Sequence, residues 1–176
     1  MPDRGVIDVR LSDLRQLFNT FDPSPFHEKD LDSAAEEYIA GWADEFALAV
    51  PLELVIRIPT DQLGDAERKD VPRAIHNYFS YRETESRRRI RFLLRQGRPA
   101  LAIGIGFLVI CMVLRQTAAS MLPPPFQDTL RESLLILGWV AMWRPLQIFL
   151  YDWWPIRHNA RLYRKLADMP VRILAS

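Results

Sequence analysis

Side chains able to bind or react are few in this chain, and they lie far apart. His27, Glu28, Asp30 and Asp32 fall together in the segment HEKDLD, a donor set suited to a hard metal ion or to proton transfer. Their spacing matches neither the zinc-binding helix motif nor a calcium loop. Acids also gather at such a place to complement the positive end of a following helix. His76 and His158 stand alone. Cys111, the single cysteine, sits in the most apolar stretch and has no partner for a disulfide or a thiolate metal site. No catalytic residue, metal or cofactor is expected from these residues, and the balance leans away from an enzyme.

Arg144 stands out for its surroundings. It falls within SLLILGWVAMWRPLQIFLY, an otherwise apolar run from Ser133 to Tyr151, and Pro145 follows it. An arginine at the centre of a membrane helix costs roughly 2.5–3.5 kcal/mol on insertion scales, which makes it a functional candidate by default. Asp152 is the nearest acid along the chain. Eight residues of straight helix place it about 12 Å away along the axis, too far for a direct bond. Arg144 is left to snorkel, to bond carbonyls freed at Pro145, or to meet a partner subunit. Trp139, Trp143, Tyr151, Trp153 and Trp154 read as an interfacial aromatic belt at this exit.

A second charged feature precedes the first apolar run. Arg87, Arg88, Arg91, Arg95 and Arg98 are interleaved with apolar residues and abut PALAIGIGFLVICMVL, which carries no charge from Pro99 to Leu114. That context favours anionic lipid headgroups over nucleic acid; each basic residue at such a surface is worth about 1 kcal/mol. Within the run, Ala100 with Gly104 and Ala102 with Gly106 form two overlapping small-x-x-x-small pairs, which permit close helix packing in a hairpin or between subunits.

The segments DPSPFHEKDLD and FLYDWWPIR resemble an uncharacterised family of small bacterial two-span inner-membrane proteins. The resemblance implies the two-span layout and brings no activity and no catalytic residues with it.

The elements that must position these residues follow from pattern and charge. Residues 1–85 hold 9 Lys/Arg against 18 Asp/Glu, and residues 86–176 hold 14 against 4. Two helical spans joined by a loop at about 115–132, rich in proline, account for residues 99–154. Basic residues cluster before the first span and after the second, while the loop holds only Arg115 and Arg131. The positive-inside rule then places both termini in the cytoplasm of a bacterial inner membrane. Residues 6–11 and 52–58 alternate as strands with one buried face. Between them Leu31, Ala34, Tyr38, Ile39, Trp42 and Phe46 recur at helical spacing, with Ser33 and Glu36 as a capping box. Val171–Leu174 offers a third strand. Residues 66–97 read as one long helix leading to the membrane, with a bend at Gly97 and Pro99. Residues 156–168 read as a basic amphipathic helix at the interface, Ile156, Tyr163 and Leu166 inward.

The expectation is an α+β chain: a cytoplasmic strand–helix–strand domain over 1–62, a long helix over 63–98, a transmembrane hairpin over 99–154 and a basic tail over 155–176. Its expected role is a membrane-anchored interaction or assembly protein. The expected partners are the anionic bilayer and a protein partner or a second copy, with no nucleic acid. Alternatives are a subunit of an oligomeric transporter or channel, and a membrane enzyme using residues 27–32.

Overall fold

The computed structural model describes residues 4–117 and 123–176, with the side chains of Arg68, Pro124 and Pro125 left aside. Three strands, β1 (Gly5–Arg10), β2 (Leu52–Ile58) and β3 (Val171–Ala175), form one sheet in the order β1-β2-β3, all parallel. Among the described residues five α-helices accompany them: α1 (Ser33–Glu45), α2 (Leu63–Arg68), α3 (Val71–Thr117), α4 (Pro124–Gln147) and α5 (Trp153–Ala167). The fold is α+β, a small parallel sheet together with two long packed helices that form a hairpin. The chain divides into two compact units. One comprises Met1–Arg87 with His158–Ser176, the other Arg88–Arg157.

The sheet explains the first unit. Ile7 pairs with Leu54, and Leu54 with Val171, so the alternating apolar residues line up across all three strands. Ile7, Val9, Leu54 and Ile56 face a core built with Leu17, Ile39, Ile75, Phe79, Leu162 and Leu166. The connection from β1 to β2 runs through α1, and that from β2 to β3 through everything between residues 59 and 170. Two right-handed crossovers stepping in the same direction put their helices on one face of a sheet. The opposite face is partly exposed and carries ion pairs: Asp8 pairs with Arg57 at 2.9 Å, Glu53 pairs with Arg172, and Val55 is buried beside them.

Several boundaries differ from those read in the sequence, each for a local reason. Asp32, not Ser33, caps α1, its carboxylate accepting the Ala34 N–H. After β1 the chain makes a 3-10 turn over Leu14–Leu17, capped by Asp13 with Gln16 completing the box. The long helix is broken at Asp70, whose φ of 49° turns the chain before α3 begins; Asp tolerates that region better than most residues. From there α3 runs unbroken through Gly97 and Pro99 to Thr117. The loop expected at 115–132 is much shorter, because Pro124 already sits in the first turn of α4, where its missing N–H costs nothing. Residues 118–122 of that loop lie outside the described residues.

The largest difference concerns the C-terminal segment. The sequence suggested a separate basic tail with an interfacial helix. Instead the apolar stripe of α5 is absorbed by the sheet unit, with Leu162 and Leu166 buried in its core and Tyr163 packed against it. His76 Nε2 lies 2.8 Å from the Met169 carbonyl and holds the turn from α5 into β3. If α5 is core, Leu166→Ala costs about 2–5 kcal/mol of unfolding free energy, whereas Leu174→Ala, on the exposed sheet face, changes it little. Chemical denaturation of both variants in detergent measures this, and equal stabilities would contradict the packing.

Candidate functional site

The hairpin unit is zipped along a line of small residues. A Cβ added to Gly97 would come within 2.9 Å of Ile148 Cγ2, one on Gly104 within 3.1 Å of Met142 Sδ, and one on Gly138 within 2.7 Å of Leu108 Cδ1. Gly97, Gly104 and Cys111 are seven residues apart, as are Gly138 and Pro145 on α4, and all are buried. A seven-residue repeat keeps one seam facing its partner along two left-handed packed helices. Of the four residues singled out in the sequence, Gly104 is on this seam and Ala100 is half-buried. Ala102 and Gly106 face outward, with open space around Gly106. The four-residue spacing missed Gly97 and Gly138, which the seven-residue repeat picks out.

The seam also sets relative depth. Gly97 lies against Ile148 and Phe149, so Arg98 stands level with the C-terminal end of α4. Trp153 and Trp154 follow within two turns of that level. Trp139 adjoins Gly138, about 15 Å from that level along the helix. Trp153 is fixed by its Nε1 donating to the Phe149 carbonyl at 2.8 Å, with the Arg157 guanidinium 5.4 Å from the ring centre. Arg88, Arg91, Arg95 and Arg98 are exposed on α3 in this unit. Arg87, at the edge of the sheet unit, pairs with Glu83 at 2.7 Å.

Arg144 finds Asp152 after all. A π-helical turn over Ile148–Asp152 follows α4. Residues eight apart on an α-helix are offset by about 80° around the axis; the wider turn rotates each residue less and brings the two onto one face. Arg144 Nη1 lies 3.3 Å from Asp152 Oδ2 and 3.4 Å from Gln147 Oε1. The guanidinium therefore points along the helix toward the level of Arg98, away from the centre of the apolar run. Arg144 remains 65% exposed on the hairpin and Asp152 25%. The arrangement is an ion pair at the rim of an apolar surface, suited to neutralising a charge there or to meeting a polar group on another helix.

The most connected polar cluster lies in the sheet unit and carries no motif. Glu36, on the inner side of α1, accepts from Tyr78 Oη (2.7 Å), Tyr163 Oη (3.0 Å) and Arg82 Nε (2.8 Å). Arg82 also reaches Glu85 at 2.8 Å and lies over the Tyr163 ring, 5.3 Å from its centre. The Tyr163 ring stacks on Phe79. Burial, then the hydrogen bond to Glu36, holds the Tyr78 phenol well above its ordinary value of 10.0. Tyr163 moves the same way, through burial and the Glu36 charge. Burial pulls Arg82 down, but the Glu36 carboxylate outweighs it and leaves the guanidinium more firmly charged. Beside the cluster a shallow hollow of about 360 Å³ runs between α1 and α5, closed at one end by His158 against Asp44 at 2.5 Å.

Residues 27–32 do not converge. His27 and Glu28 touch at 3.7 Å on the surface, while Asp32 is occupied as the α1 cap. The loop is instead organised by Asp22, whose carboxylate accepts the N–H groups of Asp30 and Ser24 and is shifted below its usual range by those bonds. Among the described residues no three His, Cys, Asp or Glu side chains are grouped to hold a metal ion.

The Glu36 cluster predicts an alkaline instability. Unfolded tyrosine ionises near pH 10, whereas Tyr78 in the fold resists it. Its contribution is complete below pH 10 and is lost as pH rises above 10 toward the folded value. Tyr78→Phe should cost about 1.5–3 kcal/mol at neutral pH, as expected for a hydrogen bond to a charged group. It should also flatten the fall in stability between pH 10 and 11. Urea unfolding across that range measures both, and an unchanged slope would remove Tyr78 from the explanation. Comparison with known proteins gives no match: no family model, no curated protein and no solved structure is similar to this chain.

Proposed function

We propose that this chain is a two-span protein of the bacterial inner membrane whose sheet unit serves in the cytoplasm as a non-enzymatic interaction or assembly module. The observation carrying this reading is the outer surface of the hairpin. Both helices are long and apolar enough to cross a bilayer, yet only 17% of the most apolar window of either is buried. Ile103, Ile110, Val113, Ile136, Trp139 and Val140 are all largely exposed. A contiguous apolar surface of this kind is unfavourable in water and needs no further cover in lipid.

Chain connectivity supports the orientation. β2 precedes the hairpin and β3 follows it, and the two pair residue by residue from Leu54 with Val171 to Ile58 with Ala175. Strands can pair so only if the chain leaves and returns on one side of the bilayer, which two crossings satisfy. Arginines at both ends of the hairpin put that side in the cytoplasm. Arg144, paired with Asp152 and directed to the rim, then acts as an interfacial anchor alongside Arg88, Arg91, Arg95 and Arg98, which meet anionic headgroups. A reading as an oligomeric transporter or channel subunit draws on one feature, the outward-facing Ala102 and Gly106, where the helix of another copy could approach closely.

The topology is testable with single cysteines in a Cys111→Ala background. A membrane-impermeant maleimide should label a cysteine at Gln127 in intact spheroplasts, and one at Ser176 only after lysis. Alkaline carbonate should leave both variants in the membrane pellet. Labelling of both positions from the same side, or release by carbonate, would defeat the reading.

A further inference from the structure

We infer that the hollow between α3 and α4 at the loop end of the hairpin holds an anionic phospholipid, its phosphate between Arg115 and Arg131 and an acyl chain along α3. This rests on the proposed reading of the hairpin as a pair of membrane spans, and it adds a lipid site in the leaflet opposite the one that meets Arg98.

The seam brings the two arginines level. Gly138 lies against Leu108 across the hairpin. Arg115 follows Leu108 by seven residues, and Arg131 precedes Gly138 by seven. The helices run in opposite directions, so each arginine stands about 10 Å from that contact toward the loop.

Here lies a hollow of about 650 Å³, lined by Val109, Met112, Val113, Arg115 and Gln116 of α3 and by Arg131 of α4. Val109, Met112, Val113 and Gln116 follow the i, i+3, i+4, i+7 pattern and so form one helix face. The three apolar members are each more than half exposed. They lie toward the middle of the span, while Arg115, Gln116 and Arg131 lie toward the loop. The hollow thus has an apolar floor at depth and a cationic rim at the surface. A soluble anion would use only the rim. A phospholipid uses both, and lipid is the medium onto which this surface opens.

Charge selects the lipid. Among the described residues no acid lines the hollow; Asp128 and Glu132 lie outside it. Asp128 approaches Arg131 only to 3.8 Å, beyond hydrogen-bond length, and is itself 84% exposed. A guanidinium presents a planar fork of donors that matches two phosphate oxygens, and the Gln116 amide adds a neutral donor beside it. A headgroup with net negative charge leaves its phosphate to the arginines. A choline headgroup brings its own cation to the same place.

The test uses the full chain in phosphatidylcholine nanodiscs with a trace of phosphatidylglycerol that carries a diazirine near the top of one acyl chain. Cross-linked peptides are mapped by mass spectrometry, with diazirine-labelled phosphatidylcholine as the reference probe. Cross-links to residues 109–113 should be about tenfold more frequent with the glycerol lipid, in keeping with two basic residues at a lipid surface. Arg115→Gln combined with Arg131→Gln should bring them down to the phosphatidylcholine level and leave the phosphatidylcholine cross-links as they were. Arg98→Gln should change neither. Inorganic phosphate should displace the lipid no better than sodium chloride at equal ionic strength. Equal labelling by the two lipids, or a preference that survives the paired substitution, overturns the inference. A preference lost on Arg98→Gln does so too, because selection would then occur at the other end of the hairpin. Displacement specific to inorganic phosphate overturns it as well and assigns the rim to a soluble anion. A chain that resists carbonate extraction and fails here keeps its spans and loses only this lipid site.

Discussion

Parallel pairing of β2 with β3 is the constraint from which the rest of the architecture follows. More than a hundred residues separate the two strands, and the whole hairpin lies within that crossover. The ladder recruits α5 into the core, because a strand leaving Met169 can reach β2 only if the helix before it packs on the same sheet face. It also requires an even number of passages through any bilayer that the hairpin enters.

Each unit solves the problem of buried polarity in its own way. In the sheet unit Glu36 is surrounded by three donors drawn from α3 and α5, so its charge is retained by hydrogen bonding and not diluted by water. That single carboxylate holds α1 to both neighbouring helices. In the hairpin the seam is built from small and apolar residues: glycine, cysteine and proline let the backbones approach, and contact comes from van der Waals packing. Arg144 lies off the seam on the outer surface, where a π turn brings it to Asp152.

The two units divide polarity between them: the sheet unit carries the ion pairs and the Glu36 cluster, and the hairpin carries the exposed apolar surface. His27, Glu28, Asp30 and Asp32 do not converge on one point: His27 meets Glu28 on the surface, and Asp32 caps α1.

Much of this was legible in the residues themselves. Alternation over 6–11 and 52–58 marks strands because side chains on a strand point to opposite faces, and the uncharged run at 99–114 marks a long apolar helix by length alone. Even the terminal strand showed as Val171 and Ile173 flanking Arg172. What the sequence could not disclose is contact between distant positions. Glu36 meets Tyr78, Arg82 and Tyr163 only after the chain has left for the hairpin and come back, and no local pattern encodes that meeting. The Arg144–Asp152 pair depends on a single wide turn whose rotation is invisible to a straight-helix count. Periodicity, length and charge belong to the chain and are readable from it; which buried charge meets which donor, and where the small residues touch, was decided by packing, because those energies exist only once separate segments share a space.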